Sequence, residues 1–303
     1  MIVSVENITH RYGARTALAG ISFSVGKACV FGVLGPNGGG KSTLFRILST
    51  MTAPAAGRVT VAGFDAGRQP AEVRRRIGVV FQTNSLDKKL TVAENIFSQG
   101  HLFGMSGRGL NERAGAVMDR LGLGARRGDP VGTLSGGMQR RVEIAKALLH
   151  EPEVLLMDEP STGLDPGARR ELWDYVSGLR ESHGVTVLLT THILDEADRC
   201  DRLLLLHEGK RVAEGSPAEL KAKVGGDVVV LEVDAPAEMA GRLAARFGVR
   251  AQEAGGALRV EIANGHRFLT EVVEAFPGQI GAIALHKPTL EDVFLDETGA
   301  RID

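Results

Sequence analysis

Gly35-Pro36-Asn37-Gly38-Gly39-Gly40-Lys41-Ser42-Thr43 is the stretch on which the reading of this chain turns. It fits the pattern G-x-x-x-x-G-K-[ST], whose glycines let successive backbone N–H groups wrap a phosphate without Cβ clashes. Lys41 then reaches outer phosphate oxygens, and Ser42 offers a hydroxyl to a divalent cation. An apolar strand, Cys29–Leu34, precedes the loop and a helical run, Thr43–Leu48, follows it. A helix that starts at the loop adds a favourable dipole for an anion.

Outward from this loop, short β-branched runs alternate with helical patterns through the first 220 residues. The predicted strands are Ile2–Ile8, Gly20–Val25, Cys29–Leu34, Gly57–Ala62, Ile77–Phe81, Val154–Met157, Val185–Thr190 and Leu203–Leu206. Ile21, Phe23 and Val25 alternate as in a half-exposed antiparallel strand. Val154–Met157 and Val187–Leu189 are continuously apolar, as strands of a parallel sheet covered on both faces are. The expectation is an α/β core carrying an antiparallel edge layer. Residues 84–134 hold no good strand and read as a helical insertion. Thr91–Glu94 and Ser216–Glu219 are capping boxes, the second with Pro217 at the first helical position, and Asp165-Pro166 opens another helix.

Composition narrows the class. The chain has 303 residues, 43% hydrophobic and 24% charged, an ordinary globular balance that excludes disorder and allows about two domains. Lys plus Arg is 36 against 37 Asp plus Glu, a net charge of −1, which argues against nucleic acid as a partner. Cys29 and Cys200 alone make neither a disulfide framework nor a zinc site, and with Trp173 and Met157 they read as packing. No apolar run approaches the ~20 residues of a bilayer-spanning helix and no signal peptide opens the chain, so a cytoplasmic protein is expected. The 39 glycines cluster at turns, marking tight backbone geometry and not a linker.

Two further runs carry chemistry. Val154–Met157 ends in Asp158-Glu159; the first carboxylate is placed to hold Mg2+ through water, the second to polarise an attacking water. Leu134-Ser135-Gly136-Gly137-Met138-Gln139-Arg140 starts a helix with exposed N–H groups and a hydroxyl, a second anion site that could face the first across a phosphate.

With these residues in place, residues 1–222 resemble the nucleotide-binding subunits of ATP-binding cassette (ABC) transporters. Gly35–Thr43 matches the Walker A loop, Val154–Glu159 Walker B, and Leu134–Arg140 the family signature. Gln82 matches the Q-loop glutamine, Ser161–Asp165 the D-loop, His192 the switch histidine, and Tyr12 the aromatic that stacks on adenine. The resemblance implies a P-loop NTPase cassette with a helical subdomain at about 83–134, which binds and hydrolyses ATP with Mg2+. It assigns catalysis to Glu159, His192 and Lys41, and metal ligation to Ser42, Gln82 and Asp158. Nucleotide contacts fall to Tyr12, Gly35, Pro36, Asn37, Gly38, Gly39, Gly40, Lys41, Ser42, Thr43, Gln82, Asp158, Asp165 and the signature residues Ser135, Gly136 and Gly137. Departures are small: Gly39 loosens the loop, and Met138 stands where glutamine is frequent.

A head-to-tail homodimer, a separate membrane permease and a peripheral place on the cytoplasmic face of the membrane are further implications. The closing run Pro288–Gly299 resembles that of daunorubicin-resistance type exporters, which implies outward transport of drug-like, lipid or other small cargo. The alternative is a soluble cassette ATPase acting on ribosomes or nucleic acid; such proteins usually carry two cassettes, or a long coiled-coil insertion within one.

Gly225-Gly226 is the expected junction to a second domain, 227–303. Asp227–Val233, Pro236–Phe247, Val249–Glu253, Ala257–Ile262, a helix through Phe268, Val272, Val273 and Phe276, and Ile280–Leu285 read as β-α-β-β-α-β. That is the order of the ferredoxin-like split fold. Thr289 then caps a closing helix, Leu290–Leu295. The expected sheet has helices on one face, with the other left free for the cassette or a twin tail.

Overall fold

A computed structural model describes residues 1–300 and residue 302. The chain divides into two compact units, Met1–Glu214 and a second that begins at Gly215.

The first unit opens with β1 (Val3–Tyr12), β2 (Arg15–Val25) and β3 (Val30–Leu34), then α1 (Lys41–Leu48). There follow β4 (Ala56–Val61), β5 (Phe64–Asp65), α2 (Pro70–Arg74) and β6 (Ile77–Val80). The insertion supplies α3 (Val92–Leu102) and α4 (Gly107–Arg120), and α5 (Gly136–Leu148) leads back to the sheet. The unit closes with β7 (Val154–Asp158), α6 (Pro166–His183), β8 (Thr186–Thr191), α7 (Leu194–Ala197), β9 (Arg202–His207) and β10 (Lys210–Gly215).

Two sheets form. One has the order β10-β9-β3-β8-β7-β6, with the pairs from β9 to β6 all parallel; the other is an antiparallel layer, β2-β1-β4-β5. Every residue of β3, β7 and β8 is buried, which is why their sequences are apolar without alternation. One core joins the antiparallel layer to α1 and to one face of the larger sheet, with Phe23 stacked on Phe31 at 5.3 Å. Each fully buried aliphatic or aromatic side chain there contributes ~1.5–3 kcal/mol.

The register of the larger sheet positions the site. Leu34 pairs with Thr191 and Asp158 with Thr190, so the loops after β3, β7 and β8 leave the sheet side by side. In open parallel sheets such carboxyl ends are where ligands bind. Thr91 caps α3 in a full capping box, as its sequence predicts, and the described residues between 83 and 134 form no strand.

The second unit contains α8 (Pro217–Lys221), β11 (Asp227–Glu232), α9 (Pro236–Phe247), β12 (Ala251–Ala254), β13 (Ala257–Ile262), α10 (Gly265–Ala275), β14 (Ala282–His286) and α11 (Leu290–Thr298). Its antiparallel sheet has the order β12-β13-β11-β14, the pairing of the split βαβ fold. Val229, Leu231, Leu258 and Val260 share one face and pack against Met239 and Leu243 of α9 and Phe268, Val272 and Phe276 of α10.

Two features differ from the sequence expectation. Helix α8 packs on α11, so the division between units falls at 214/215, ahead of Gly225-Gly226. The second sheet face is not free: Arg259 points to it, is buried, and donates through Nε to Asp292 of α11 at 2.9 Å. A strand pattern reports alternation, and Arg259 in an alternating strand reads as solvated until a carboxylate above it is known.

Candidate functional site

The loop Gly35–Thr43 holds its shape for steric reasons. A Cβ on Gly35 would lie 2.1 Å from the Leu206 carbonyl oxygen, and Gly40 adopts φ +107 with its would-be Cβ 2.7 Å from the Ala17 carbonyl oxygen. Gly40 is also the N-cap of α1 and gives no side-chain cap, so the first N–H groups of that helix remain available to an anion. Lys41 is buried; its Nζ donates to the carbonyls of Gly35 at 2.8 Å and Pro36 at 3.0 Å and lies 3.3 Å from Glu159 Oε1. A buried ammonium needs such compensation.

Glu159 is the meeting point. Its Oε2 accepts from Gln82 Nε2 at 3.2 Å and from Thr162 Oγ1 at 3.3 Å. His192 Nδ1 lies 3.3 Å from the same oxygen but lacks the angle of a hydrogen bond. Glu159 has φ +44, left-handed for a non-glycine residue, the kind of backbone strain that collects at functional sites. Its amide donates to Thr190 Oγ1 at 3.0 Å, while Thr190 Oγ1 donates to Asp158 Oδ1 at 2.5 Å. Burial pushes the Asp158 carboxyl above the ordinary aspartate range; the Thr190 bond opposes that shift and the Glu159 charge adds to it.

A cleft of about 450 Å3 opens over these groups, lined by Tyr12, Arg15, Asn37, Gly38, Gly40, Lys41, Ser42, Thr43, Gln82 and Glu159. Tyr12 is 45% exposed, its ring edge-on to His10 at 4.8 Å, and Arg15 donates to the Gly38 carbonyl at 3.3 Å. An exposed aromatic face at the rim, cations within and a glycine loop at the floor suit a planar base joined to phosphates.

Ser135, Gly136, Gly137 and Asp165 are not among the residues that line this cleft. Ser135 Oγ caps α5 by accepting from Met138 N at 3.3 Å; Asp165 Oδ1 caps α6 through Gly167 N and Ala168 N. A Cβ on Gly137 would fall 2.7 Å from Ala168 Cβ, so this glycine lets the two helix starts approach.

Several supporting residues escaped the sequence reading. Thr190 joins the Asp158 carboxylate to the Glu159 backbone amide, and Arg140 donates to the carbonyls of Pro160 and Phe81, each at 2.6 Å. Buried Glu196 accepts from Thr191 Oγ1 at 2.7 Å and from Ser161 Oγ. Polar residues at strand ends or on the apolar face of α5 were the available signal. Cys29 and Cys200 have thiols pushed up by burial, in keeping with packing roles.

Residues 18–162 match the family model described as ABC transporter, and residues 215–298 match the ATP-binding protein DrrA1-3-like C-terminal domain. The daunorubicin resistance ATP-binding protein DrrA3 of Streptomyces coeruleorubidus is 40% identical over 98% of this chain and 96% of its own length. The Nod factor export ATP-binding protein I of Rhizobium sp. (strain N33) is 38% identical over 99% of this chain and 98% of its own. Among solved structures, a dimeric post-hydrolysis state of the ATP-binding cassette MJ0796 bound to ADP and Pi aligns with a TM-score of 0.64. It is 28% identical, over 71% of this chain and 98% of its own. With the phosphate loop, the paired carboxylates and a matched tail in one polypeptide, the chain belongs to the ABC transporter family, as an ATP-binding, ATP-hydrolysing subunit with a DrrA-like C-terminal domain.

Proposed function

We propose that this chain is the ATPase of an ABC exporter, working as a head-to-tail homodimer on a separate permease to move drug-like, lipid or other small cargo outward. The observation that supports this best is the convergence of Lys41, Gln82, Thr162 and His192 on the Glu159 carboxylate at the mouth of the glycine loop. Tyr12 stacks on adenine. The Gly35–Thr43 amides and Lys41 hold the phosphates in line, and Glu159 accepts a proton from the attacking water. His192 stands beside the γ-phosphate.

Ser42, Gln82 and Asp158 would hold Mg2+, and this oxygen donor set suits a hard cation. When bound, the ion neutralises charge on the phosphate oxygens.

Ser135, Gly136 and Gly137, away from the cleft of their own chain, complete the site of the twin, together with its Asp165. The export reading is supported by the names of the relatives and by the matched tail. No helix among the described residues is long and apolar enough to cross a membrane. In this reading cargo passes through the separate permease, and the cassette sits against its cytoplasmic face. As functional limits we propose a cassette, 1–222, with a helical subdomain at about 83–134, and an accessory domain, 227–303, with α8 at the junction packing on α11. The test is Glu159→Gln: ATP binding is retained and hydrolysis lost. Turnover at the wild-type rate would remove Glu159 from its role.

A further inference from the structure

Helix α5 carries its polar residues inward. Arg140 and Glu143 are 4% and 2% exposed, although the helix opens at Ser135 on the surface. Each reaches the irregular segment around Gln82. Arg140 donates to the Phe81 carbonyl on one side of it. On the other side Asn84 Nδ2 donates to Gln139 Oε1 at 3.1 Å. Glu143 Oε1 accepts from the Ser85 backbone N–H at 2.7 Å, and Ser85 Oγ lies 3.1 Å from both carboxylate oxygens. Lys146, one turn on, donates to Ser85 Oγ at 3.0 Å and to its carbonyl at 3.2 Å. Burial pulls the Lys146 ammonium below its ordinary range, and the neighbouring Glu143 charge opposes that shift only in part.

The geometry has a mechanical consequence. From Phe81 to Leu86 the backbone is neither helix nor strand, so side chains of α5 set its place. The same helix holds the Pro160 carbonyl, directly after Glu159, through Arg140. One rigid element therefore carries the anion-facing start at Ser135, the backbone next to Glu159 and the segment bearing Gln82.

We propose that Glu143 is a positioning residue for hydrolysis: its carboxylate, bonded to Ser85, registers Gln82 against Glu159 and against the helix that begins at Ser135. This rests on the roles of Glu159 and Gln82 proposed above. Glu143 touches no substrate; it acts through Ser85. The effect falls chiefly on turnover, because the phosphate loop and Tyr12 supply most of the nucleotide contacts and Gln82 adds one side chain to them.

The test uses the full chain and measures kcat, KM and equilibrium ATP binding with a fluorescent ATP analogue, alongside thermal unfolding. Glu143→Ala lowers kcat about tenfold or more, since a hydrogen bond to a charged group is lost, while ATP affinity stays within about twofold. Glu143→Gln, which keeps an oxygen for the Ser85 N–H, recovers most of that turnover. Ser85→Ala, an exposed change with little risk to folding, lowers kcat about twofold, and combined with Glu143→Ala it adds nothing. A kcat within about twofold of wild type for Glu143→Ala, a parallel loss of ATP affinity, or additive losses in the double variant overturns the inference. Glu159→Gln runs beside them: if it hydrolyses ATP the reading of the site fails, and if only Glu143→Ala behaves as wild type, the positioning role alone fails.

Discussion

Thr190→Val removes one hydroxyl at nearly constant volume and exposes what holds the Asp158 carboxylate beside the Glu159 backbone. Thr190 Oγ1 donates to Asp158 Oδ1 and accepts from the Glu159 amide, and all three residues are buried. A hydrogen bond to a charged group is worth ~1.5–3 kcal/mol, one between neutral groups ~1. The Glu159 N–H keeps the Thr190 carbonyl at 3.2 Å, so the main loss falls on Asp158.

The sign with pH follows from the direction of the Asp158 shift. Its folded pKa already lies above the ordinary 3.8, so above 3.8 the unfolded chain gives up a proton that the fold retains, and stability falls as pH rises through the folded value. Losing the Thr190 donor pushes that pKa further up and enlarges the loss. Above the folded value, where the carboxylate is charged, the variant is less stable by about 2 kcal/mol, which for a unit of this size lowers Tm by roughly 4–8 °C. As pH falls through the folded Asp158 value the gap narrows, because the proton returns to the carboxyl. Differential scanning calorimetry of both proteins, from neutral pH down through the acid range in which the fold persists, measures it. A gap that does not change with pH, or one that widens on acidification, refutes the reasoning.

Gly40→Ala should abolish ATP binding and cost roughly 1–3 kcal/mol of stability, because φ +107 and the Ala17 carbonyl both exclude a Cβ; isothermal titration and calorimetry check it. Arg259→Met leaves buried Asp292 without its guanidinium and should destabilise the second unit by about 3–5 kcal/mol, read from the loss of its calorimetric transition or from earlier proteolysis. Ser135→Arg should keep ATP binding while ending hydrolysis, since the changed side chain lies outside its own chain's cleft; binding and phosphate release measured on one sample decide it.

Legibility in the sequence followed how local each feature is. The phosphate loop could be read because its glycines, Lys41 and Ser42 are contiguous and act through their own backbone. The split βαβ tail was readable because α9, β13 and the hairpin carry their own caps and alternation; β5 was not, being two residues long, and β10 also went unrecognised. Thr190, Arg140 and Glu196 escaped because their partners come from other segments, over 30 residues away for the Thr190–Asp158 bond. Only the register of β7 against β8 brings Thr190 to Asp158. The covering of the second sheet face by α11 was hidden for the same reason: the Arg259–Asp292 pair exists only once the strand order is known.

The composite site is tested most directly by mixing two inactive variants, Ser135→Arg and Glu159→Gln, before nucleotide is added, and measuring ATP hydrolysis. In a head-to-tail pair the Ser135→Arg chain supplies an intact loop and Glu159, and the Glu159→Gln chain supplies an intact Ser135–Gly137 helix start. One whole site per mixed dimer results. The mixture should regain about a quarter of the wild-type rate per chain, the share of sites that random pairing leaves whole in a twofold dimer. A mixture as inactive as its two components would contradict the account, and so would a Ser135→Arg chain that hydrolyses ATP by itself.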